Sequence, residues 1–176
     1  KMNITAKVKF ETTNGNFTVG LYGDDAPISV KNFLSYVKEG FYDGLIFHRI
    51  IPKFMIQGGG FTTEMEQKRP KSPIKLEIVP EIKHEKYVLS MARTQLRDSA
   101  TSQFFICTDA APHLNSQYAA FGIVTEGFDI IDQIGVVPTK KHDRDKCGFR
   151  KECHYTFYGK RCSENITYKP TVIGPI

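Results

Sequence analysis

The stretch FHRIIPKFMIQGGG, residues 47–60, has the apolar character of a buried β-strand but also carries polar side chains that such a strand does not need. Most positions before the closing glycines are apolar or proline, whereas His48, Arg49 and Gln57 interrupt that pattern. A guanidinium held over an apolar surface is a fixed cation that can donate hydrogen bonds to a carbonyl oxygen or a lone pair. The stretch therefore predicts a binding groove built on a strand.

Strand alternation predicts which of these side chains lie together. Alternate residues of a strand share one face, so Arg49 is expected beside Phe47 and Ile51, and Gln57 beside Met55. The three glycines that follow would allow the backbone of a ligand to approach closely. The alternative is an ordinary arginine on the outer face of a half-exposed strand.

Two helices and a hairpin can be located from local patterns. Residues 7–23 alternate apolar and polar side chains on both sides of Asn14 and Gly15, which predicts a hairpin with a tight turn there. Residues 27–40 start with proline, end with glycine and place apolar side chains at i, i+3, i+4 and i+7, which predicts an amphipathic helix. Residues 127–135, GFDIIDQIG, predict a second, shorter helix.

Short β-type runs make up most of the remaining chain: LIFHRII, FMIQGG, YVLSMA, SQFFICT, AAFGIV and the closing KPTVIGPI. Seven or eight short strands with two helices predict a mainly β fold, a closed eight-stranded antiparallel β-barrel capped by two α-helices, because closure leaves no exposed strand edge. An open α+β sheet is the alternative. The 176 residues are interpreted as a single domain spanning 1–176.

Two further clusters carry side chains suited to binding. SMARTQLRDSATSQFFICT, residues 90–108, places Gln103 and Phe105 two residues apart, and APHLNSQYAAFG, residues 111–122, supplies Leu114 and Tyr118. The chain contains no nucleophile elbow, no zinc-protease helix motif, no P-loop and no dinucleotide fingerprint. One arginine, two glutamines and several aromatics without a nucleophile fit a reaction that breaks no σ bond.

Together these clusters resemble the cyclophilin family of peptidyl-prolyl cis/trans isomerases. FHRIIPKFMIQGGGF, SMART with DSATSQFFI, and YAAFG follow one another in the family's order, and the likeness to the short bacterial type runs from about residue 5 to Pro138 and resumes at the closing strand. The resemblance implies a cyclophilin-like domain that accelerates rotation about X–Pro bonds and assists protein folding, without a cofactor. Its partners would be proline-containing peptides and unfolded protein clients.

Carried over residue by residue, the resemblance implies one catalytic residue, Arg49. The implied substrate-binding residues are Phe54, Met55, Gln57, Ala92, Arg93, Gln103, Phe105, His113, Leu114 and Tyr118. Phe54, Met55, Phe105 and Leu114 would line the proline pocket. Gln57 would orient Arg49 and bind the substrate backbone, with Gln103 beside it. Ala92 and Arg93 would give backbone contacts to the residue before the proline.

Two positions depart from the common family pattern. His113 stands where many members have tryptophan or phenylalanine, and Tyr118 where many have histidine. Because that tryptophan normally donates a hydrogen bond to cyclosporin, the resemblance implies weakened cyclosporin binding. The tyrosine is similar to that of other bacterial members and is expected to preserve activity.

Two other functions compete with the isomerase. A proline-peptide binding module with weak catalysis would be expected had the arginine been lost, and Arg49 is present. A nucleic-acid binder would use the net charge of +5. All of this charge lies between Pro138 and Arg161, a segment that contains eight Lys or Arg and three Asp or Glu. A solvated basic loop is the preferred interpretation of that segment, so nucleic acid is not an expected partner.

The same region forms an unusual basic insert, residues 139–167, that contains cysteines and histidines. No metal site is assigned, but the candidate ligands are His142, Cys147, Cys153, His154 and Cys162. A structural zinc site, a disulfide between two of the three cysteines, and free thiols remain the alternatives.

The fourth cysteine, Cys107, lies in an apolar run and is expected to be a buried free thiol. The chain shows no leader pattern and no run long enough to cross a membrane, so no membrane partner is expected. We expect a cytoplasmic monomer, with a periplasmic or secreted location after leader removal as the alternative.

Overall fold

The described part of the chain folds as one curled antiparallel sheet, a two-stranded ribbon and two helices. The computed structural model describes residues 2–137, 139–141, 160–162 and 165–174, and the ribbon residues 139–141 and 160–162 are described by their backbone alone. The strands are β1 (Ala6–Thr12), β2 (Gly15–Leu21), β3 (Leu45–Ile46), β4 (Arg49–Ile51), β5 (Met55–Gly58), β6 (Val88–Met91), β7 (Phe104–Cys107), β8 (Ala120–Glu126), β9 (Thr139–Lys141), β10 (Lys160–Cys162) and β11 (Thr167–Ile173). Helix α1 spans Pro27–Lys38, helix α2 spans Phe128–Gly135, and Pro112–Leu114 form a 3-10 turn.

Nine strands share the main sheet in the order β3-β11-β1-β2-β8-β6-β7-β5-β4, while β9 and β10 form a separate ribbon. The two outermost strands, β3 and β4, are separated along the chain only by Phe47 and His48, so the sheet must curl until its edges approach each other. Across this gap the Ile46 N–H donates to the Phe61 carbonyl at 3.0 Å.

The mainly β prediction with two helices is confirmed, but the closed eight-stranded barrel is not. The main sheet has nine strands, and within the described ranges no ladder of hydrogen bonds pairs β3 with β4. Such a sheet is a half-barrel, and the Ile46–Phe61 hydrogen bond joins β3 to the segment after β5 rather than to β4. A backbone N–H donates one hydrogen bond, so the Ile46 N–H that bonds to Phe61 beyond β5 is not available to pair β3 with β4.

Aromatic side chains fill the concave side of the sheet. Phe33 of α1 contacts Phe104 of β7 edge-on, with ring centroids 5.5 Å apart, and Phe10 of β1 lies 5.8 Å from Phe104 and 5.7 Å from Tyr168 of β11. The predicted apolar face of α1 is buried as its spacing required; its buried residues are Ser29, Val30, Phe33, Leu34, Tyr36 and Val37. The helix therefore closes one side of the core.

Two local predictions need correction. The hairpin turns at Thr13 and Asn14, whereas Gly15, with φ of +123°, already begins β2 opposite Thr12. The run LIFHRII is two strands rather than one, and Phe47 points into the main core with only 1% of its surface exposed. Phe47 therefore does not share a face with Arg49, because the chain crosses from one edge of the sheet to the other between them.

The three glycines after Gln57 accommodate the protein's own side chains and backbone. A Cβ on Gly58 would lie 2.6 Å from the Tyr168 hydroxyl, and one on Gly59, whose φ is +90°, would lie 2.7 Å from the Ser102 carbonyl oxygen. A Cβ on Gly60 would lie 2.7 Å from Nε2 of Gln103. The close approach expected for a ligand backbone is thus made by neighbouring segments of the chain itself.

Most of the candidate metal ligands lie outside the described residues. This holds for His142, Cys147, Cys153 and His154, and Cys162 is described only as a backbone position at the end of β10. The part of the chain that the structure does describe contains no group of three or more potential metal ligands. In the same part, no helix is both long enough and apolar enough to cross a membrane.

The Tyr168 hydroxyl provides a test of how the sheet edges are linked. It accepts a hydrogen bond from the buried Gly59 N–H at 2.6 Å, so Tyr168→Phe would leave that donor without its acceptor. We expect the free energy of unfolding to fall by about 1–3 kcal/mol, measured by urea denaturation. The matched control is Tyr87→Phe, whose hydroxyl bonds Asp132 at the surface and whose loss should cost about 0.5 kcal/mol or less. Equal effects of the two variants would contradict the bridging role.

Candidate active site

The register of three neighbouring strands places Arg49, Gln57 and Phe105 in one row. Arg49 of β4 is paired with Gln57 of β5, and Gln57 is paired in turn with Phe105 of β7. The next row on the same face contains Ile51, Met55 and Cys107. Side chains alternate between faces along each strand, so this face is distinct from the one that packs on the main core.

The residues between these rows occupy the opposite face. Ile50, Ile56 and Ile106 are paired across the same three strands and are at most 1% exposed. Their burial fixes the register, because a slip by one residue would bring the arginine and glutamine into the apolar core. The polar row is therefore held on the outside of the curled sheet.

This outer face forms the floor of a groove of about 960 Å³. Every residue expected in the site lines it, from all three sequence clusters: Arg49, Phe54, Met55, Gln57, Ala92, Arg93, Gln103, Phe105, His113, Leu114 and Tyr118. Six residues outside the expected set complete the lining: His48, Phe61, Gln67, Thr94, Gln95 and Gln117.

A chain of hydrogen bonds holds the polar side of the groove. Arg49 donates through Nη1 to the Gln57 Oε1 at 3.4 Å, and Gln57 donates through Nε2 to the Gln103 Oε1 at 3.0 Å. Each glutamine uses its carbonyl oxygen toward the arginine side, so the amide orientations are set along the chain. The guanidinium is thereby oriented by Gln57 of β5 and, through it, by Gln103, which directly precedes β7.

The opposite side of the groove is an apolar pocket. Met55, Phe105 and Leu114 are buried in a small cluster of their own, separate from the main core, and Phe54 and Tyr118 pack against it. The Tyr118 ring meets Phe105 edge-on, with centroids 5.8 Å apart. Such a pocket can hold a compact apolar ring beside the cation of Arg49.

The rim of the groove is fastened by the Arg93 side chain. Its guanidinium donates to the Gln117 carbonyl at 2.8 Å through Nη2 and to the Thr94 carbonyl at 2.9 Å through Nη1. It also lies over the Tyr118 ring, 4.8 Å from the centroid. The sequence suggested only backbone contacts at Arg93, whereas the structure shows that its side chain joins two segments of the rim.

His48, beside Arg49 in the sequence, contributes a neutral ring beneath the groove. Burial, followed by the positive charge of Arg49, lowers the pKa of His48 to about 3, and a hydrogen bond with Gln103 opposes these effects. The imidazole is therefore uncharged at neutral pH and packs on Phe61, with ring centroids 4.5 Å apart. The adjacent arginine was the only sequence signal for its place in the site.

A second buried histidine supports the pocket from behind. His84 approaches Ser90 Oγ at 2.9 Å through Nε2 and Asn115 Oδ1 at 3.1 Å through Nδ1, and its ring stacks on Phe105 at 6.1 Å. Asn115 Oδ1 can only accept, so the tautomer with hydrogen on Nδ1 satisfies both contacts. Burial lowers the pKa of His84. No sequence signal identified it, because Asn115 and Phe105 reach it from segments far along the chain.

Cys107 is a buried free thiol, as the sequence predicted. Burial raises its pKa to about 12, so the thiolate that would be required of a nucleophile is absent at neutral pH. The described groove thus offers hydrogen-bond donors and an apolar surface rather than a reactive nucleophile.

Comparison with known proteins gives a consistent set of relatives. The family described as cyclophilin type peptidyl-prolyl cis-trans isomerase/CLD matches residues 7–150. The chain is 49% identical over 140 residues to a peptidyl-prolyl cis-trans isomerase of Acinetobacter baylyi, covering 77% of this chain and 74% of that protein. It is 45% identical over 140 residues to peptidyl-prolyl cis-trans isomerase B of Escherichia coli, covering 75% and 85%.

Solved structures agree with the sequence relatives. The fold superposes on the crystal structure of a cyclophilin type peptidyl-prolyl cis-trans isomerase of Cryptosporidium parvum with a TM-score of 0.78. The two chains are 27% identical, and the match covers 97% of this chain and 99% of the other.

The two buried histidines predict a pH-dependent stability. Their pKa values are lower in the folded chain than the ordinary 6.5, so the unfolded chain binds protons that the folded chain does not. Stability should therefore be complete above about pH 6.5 and fall as the pH drops, for His48 down to about pH 3. Each proton that only the unfolded chain binds changes the free energy of unfolding by about 1.4 kcal/mol per pH unit.

Urea denaturation of variants between pH 7.5 and 4.5 checks the assignment to His48. His48→Gln should reduce the slope of the unfolding free energy against pH by the contribution of about one proton. A loss of stability that is the same at every pH does not affect this slope. The control Gln95→Ala changes an exposed groove residue that has no titratable group and should leave the slope unchanged. An unaltered slope in His48→Gln would show that this histidine is not the buried neutral group.

Proposed function

The chain belongs to the cyclophilin-type peptidyl-prolyl cis-trans isomerase family, and we propose that the groove around Arg49 is the site where it accelerates rotation about X–Pro peptide bonds. Its substrates would be proline-containing peptides and flexible segments of unfolded clients. A structure of the Cryptosporidium parvum relative was determined in the presence of the dipeptide Ala-Pro, which supports a proline-containing substrate.

The barrier to be lowered comes from conjugation. The C–N bond before proline has partial double-bond character, and its rotation meets a barrier of roughly 20 kcal/mol. At the twisted transition state the prolyl nitrogen becomes pyramidal and regains a lone pair that can accept a hydrogen bond. A donor aimed at that nitrogen therefore binds the transition state more strongly than either planar isomer, which is the requirement for catalysis.

The observation that supports this role is the placement of Arg49 beside an apolar pocket. The Gln57 carbonyl oxygen holds its Nη1 at 3.4 Å, while Met55, Phe105 and Leu114 form a wall that can grip the proline ring. With the ring held, the preceding residue can turn relative to it. Partial removal of water from the groove would strengthen the contact between guanidinium and nitrogen.

The other residues would act on the substrate backbone. Gln57 and Gln103 form a pair joined at 3.0 Å, so their remaining amide groups can meet peptide groups on either side of the proline. Ala92 and Arg93 would contact the residue before the proline through their backbone. His113 and Tyr118 would border the pocket, and the histidine would weaken cyclosporin binding relative to a tryptophan.

Several broader features belong to the same proposal. The protein would act as a monomer and as a single domain over residues 1–176, with the basic insert at 139–167 outside the catalytic groove. We place it in the cytoplasm, which the free thiol of Cys107 supports, with the periplasm or secretion as the alternative.

Replacement of Arg49 tests the proposed catalysis. Arg49→Ala should lower kcat/KM in a protease-coupled X–Pro assay by about 100-fold or more, while the free energy of unfolding stays within about 1 kcal/mol of wild type. Arg49→Lys keeps the positive charge without the planar guanidinium, and its kcat/KM should lie between the values of wild type and Arg49→Ala. Arg97→Ala, an exposed arginine outside the groove, is the control. Near-wild-type activity of Arg49→Ala would remove Arg49 from the mechanism.

Phe105 is expected to serve both pocket and core. Phe105→Ala should raise KM for the peptide and also lower the free energy of unfolding by about 2–4 kcal/mol, because the ring packs within a buried cluster. Phe128→Ala removes an exposed aromatic from α2 and should leave KM unchanged. Steady-state kinetics and urea denaturation measure both effects. An unchanged KM in Phe105→Ala would place the proline elsewhere.

A further inference from the structure

The β9–β10 ribbon brings four cationic residues into directly opposed positions. Lys141 is paired with Lys160, and Lys140 is paired with Arg161, while Thr139 and Cys162 form the third pair. Like charges directly opposite each other destabilise an antiparallel pair, because their Cβ atoms lie only about 5 Å apart. Two successive cationic pairs are therefore costly for the ribbon alone and favourable for an anionic partner.

The ribbon lies next to the strand that carries Arg49. Cα atoms of β10 are within 8 Å of Cα atoms of β4, and β4 is the edge strand of the main sheet. The Debye length at physiological ionic strength is about 8 Å, so an attraction between the ribbon and a chain bound beside β4 is expected to weaken as salt is added. The ribbon is thus a neighbour of the catalytic groove.

The net charge of the chain is concentrated in the part of the sequence that contains the ribbon. The segment from Pro138 to Arg161 carries eight Lys or Arg and three Asp or Glu, a net +5, which equals the net charge of the chain. The remainder holds sixteen residues of each sign and is neutral. The ribbon positions Lys140, Lys141, Lys160 and Arg161 account for four of these five net charges, which favours orientation of an acidic client by charge.

We propose that the β9–β10 ribbon is a second interaction surface that selects X–Pro substrates flanked by acidic residues. The inference rests on the proposed function, since it requires a polypeptide in the groove beside Arg49. An extended chain advances about 3.3 Å per residue, so acidic side chains two to four residues from the proline come within reach of the ribbon. These side chains would relieve the repulsion within both cationic pairs.

An acidic polypeptide fits the surface better than a nucleic acid. Single-stranded nucleic acids are held by stacking of bases on aromatic side chains together with basic residues. The six described ribbon positions are Thr, Lys, Lys, Lys, Arg and Cys and include no aromatic residue. The adjoining groove, moreover, is suited to a peptide, so both surfaces can act on one client.

The test compares two X–Pro peptides that differ only in charge. One carries three glutamates on each side of the X–Pro unit, and the other carries glutamines at the same positions. For the wild-type protein at about 20 mM salt, we expect kcat/KM for the glutamate peptide to exceed that for the glutamine peptide by about fivefold. At about 500 mM salt the ratio should approach one, because the interaction is screened.

A charge-exchange variant keeps the ribbon intact while removing its net charge. Lys140→Glu/Lys160→Glu converts each pair into a glutamate opposite a cation, so cross-strand repulsion becomes attraction. The fivefold preference should disappear, whereas kinetics with the glutamine peptide stay unchanged. The control Lys7→Glu/Lys31→Glu makes the same change of net charge at two exposed lysines outside the groove and should retain the preference.

The outcomes separate this inference from the proposed function. If wild type isomerises both peptides equally at low salt, the ribbon does not select acidic substrates, although the isomerase assignment stands. If Arg49→Ala retains full activity on the glutamine peptide, the proposed catalytic site fails instead. Salt-sensitive binding of a labelled single-stranded oligonucleotide, lost in the ribbon variant without any peptide preference, would assign the ribbon to nucleic acid and overturn the inference.

Discussion

The Tyr168 hydroxyl connects the two sides of the curled sheet, and the geometry of the groove depends on that connection. It accepts the Gly59 N–H at 2.6 Å and donates to the Ile46 carbonyl at 3.4 Å, so a single buried oxygen joins β11, β3 and the end of β5. A buried donor without an acceptor costs more than an ordinary hydrogen bond contributes, which makes the arrangement hard to exchange for another. The position of β5 is thereby fixed. Because β5 lies between β4 and β7, its position determines that Gln57 stands between Arg49 and Phe105.

The site that results separates charge from packing. Its described lining holds the cation of Arg49 over an apolar floor, while the buried neighbours stay neutral: burial keeps His48 unprotonated and Cys107 in its thiol form. An oriented donor with no adjacent nucleophile suits rotation about a bond better than bond cleavage. Further cationic residues occupy the β9–β10 ribbon, whose strand β10 lies near β4, and we propose that they act on the flanks of a bound chain.

Part of the site followed from local sequence because its residues are close along the chain. Arg49 and Gln57 are only eight residues apart on adjacent strands, so a short hairpin suffices to pair them. Placing Phe105 in the same row required the family resemblance, since 48 residues separate it from Gln57. His84 was not recognised, because its contacts with Ser90, Asn115 and Phe105 arise only after distant strands meet.

The sequence by itself determined the amphipathic face of α1, the alternation of β4, β5 and β7, and the residues available to the groove, because these depend on spacing within one element. Only the tertiary structure decided that Phe47 enters the core while Arg49, two residues later, faces the groove. It also decided that the glycines after Gln57 receive Tyr168 and Ser102 rather than a ligand. Strand alternation describes a continuous strand, whereas here the chain leaves one edge of the sheet and joins the other. Which edges meet is set by burial of distant aromatic residues, and local spacing carries no information about that.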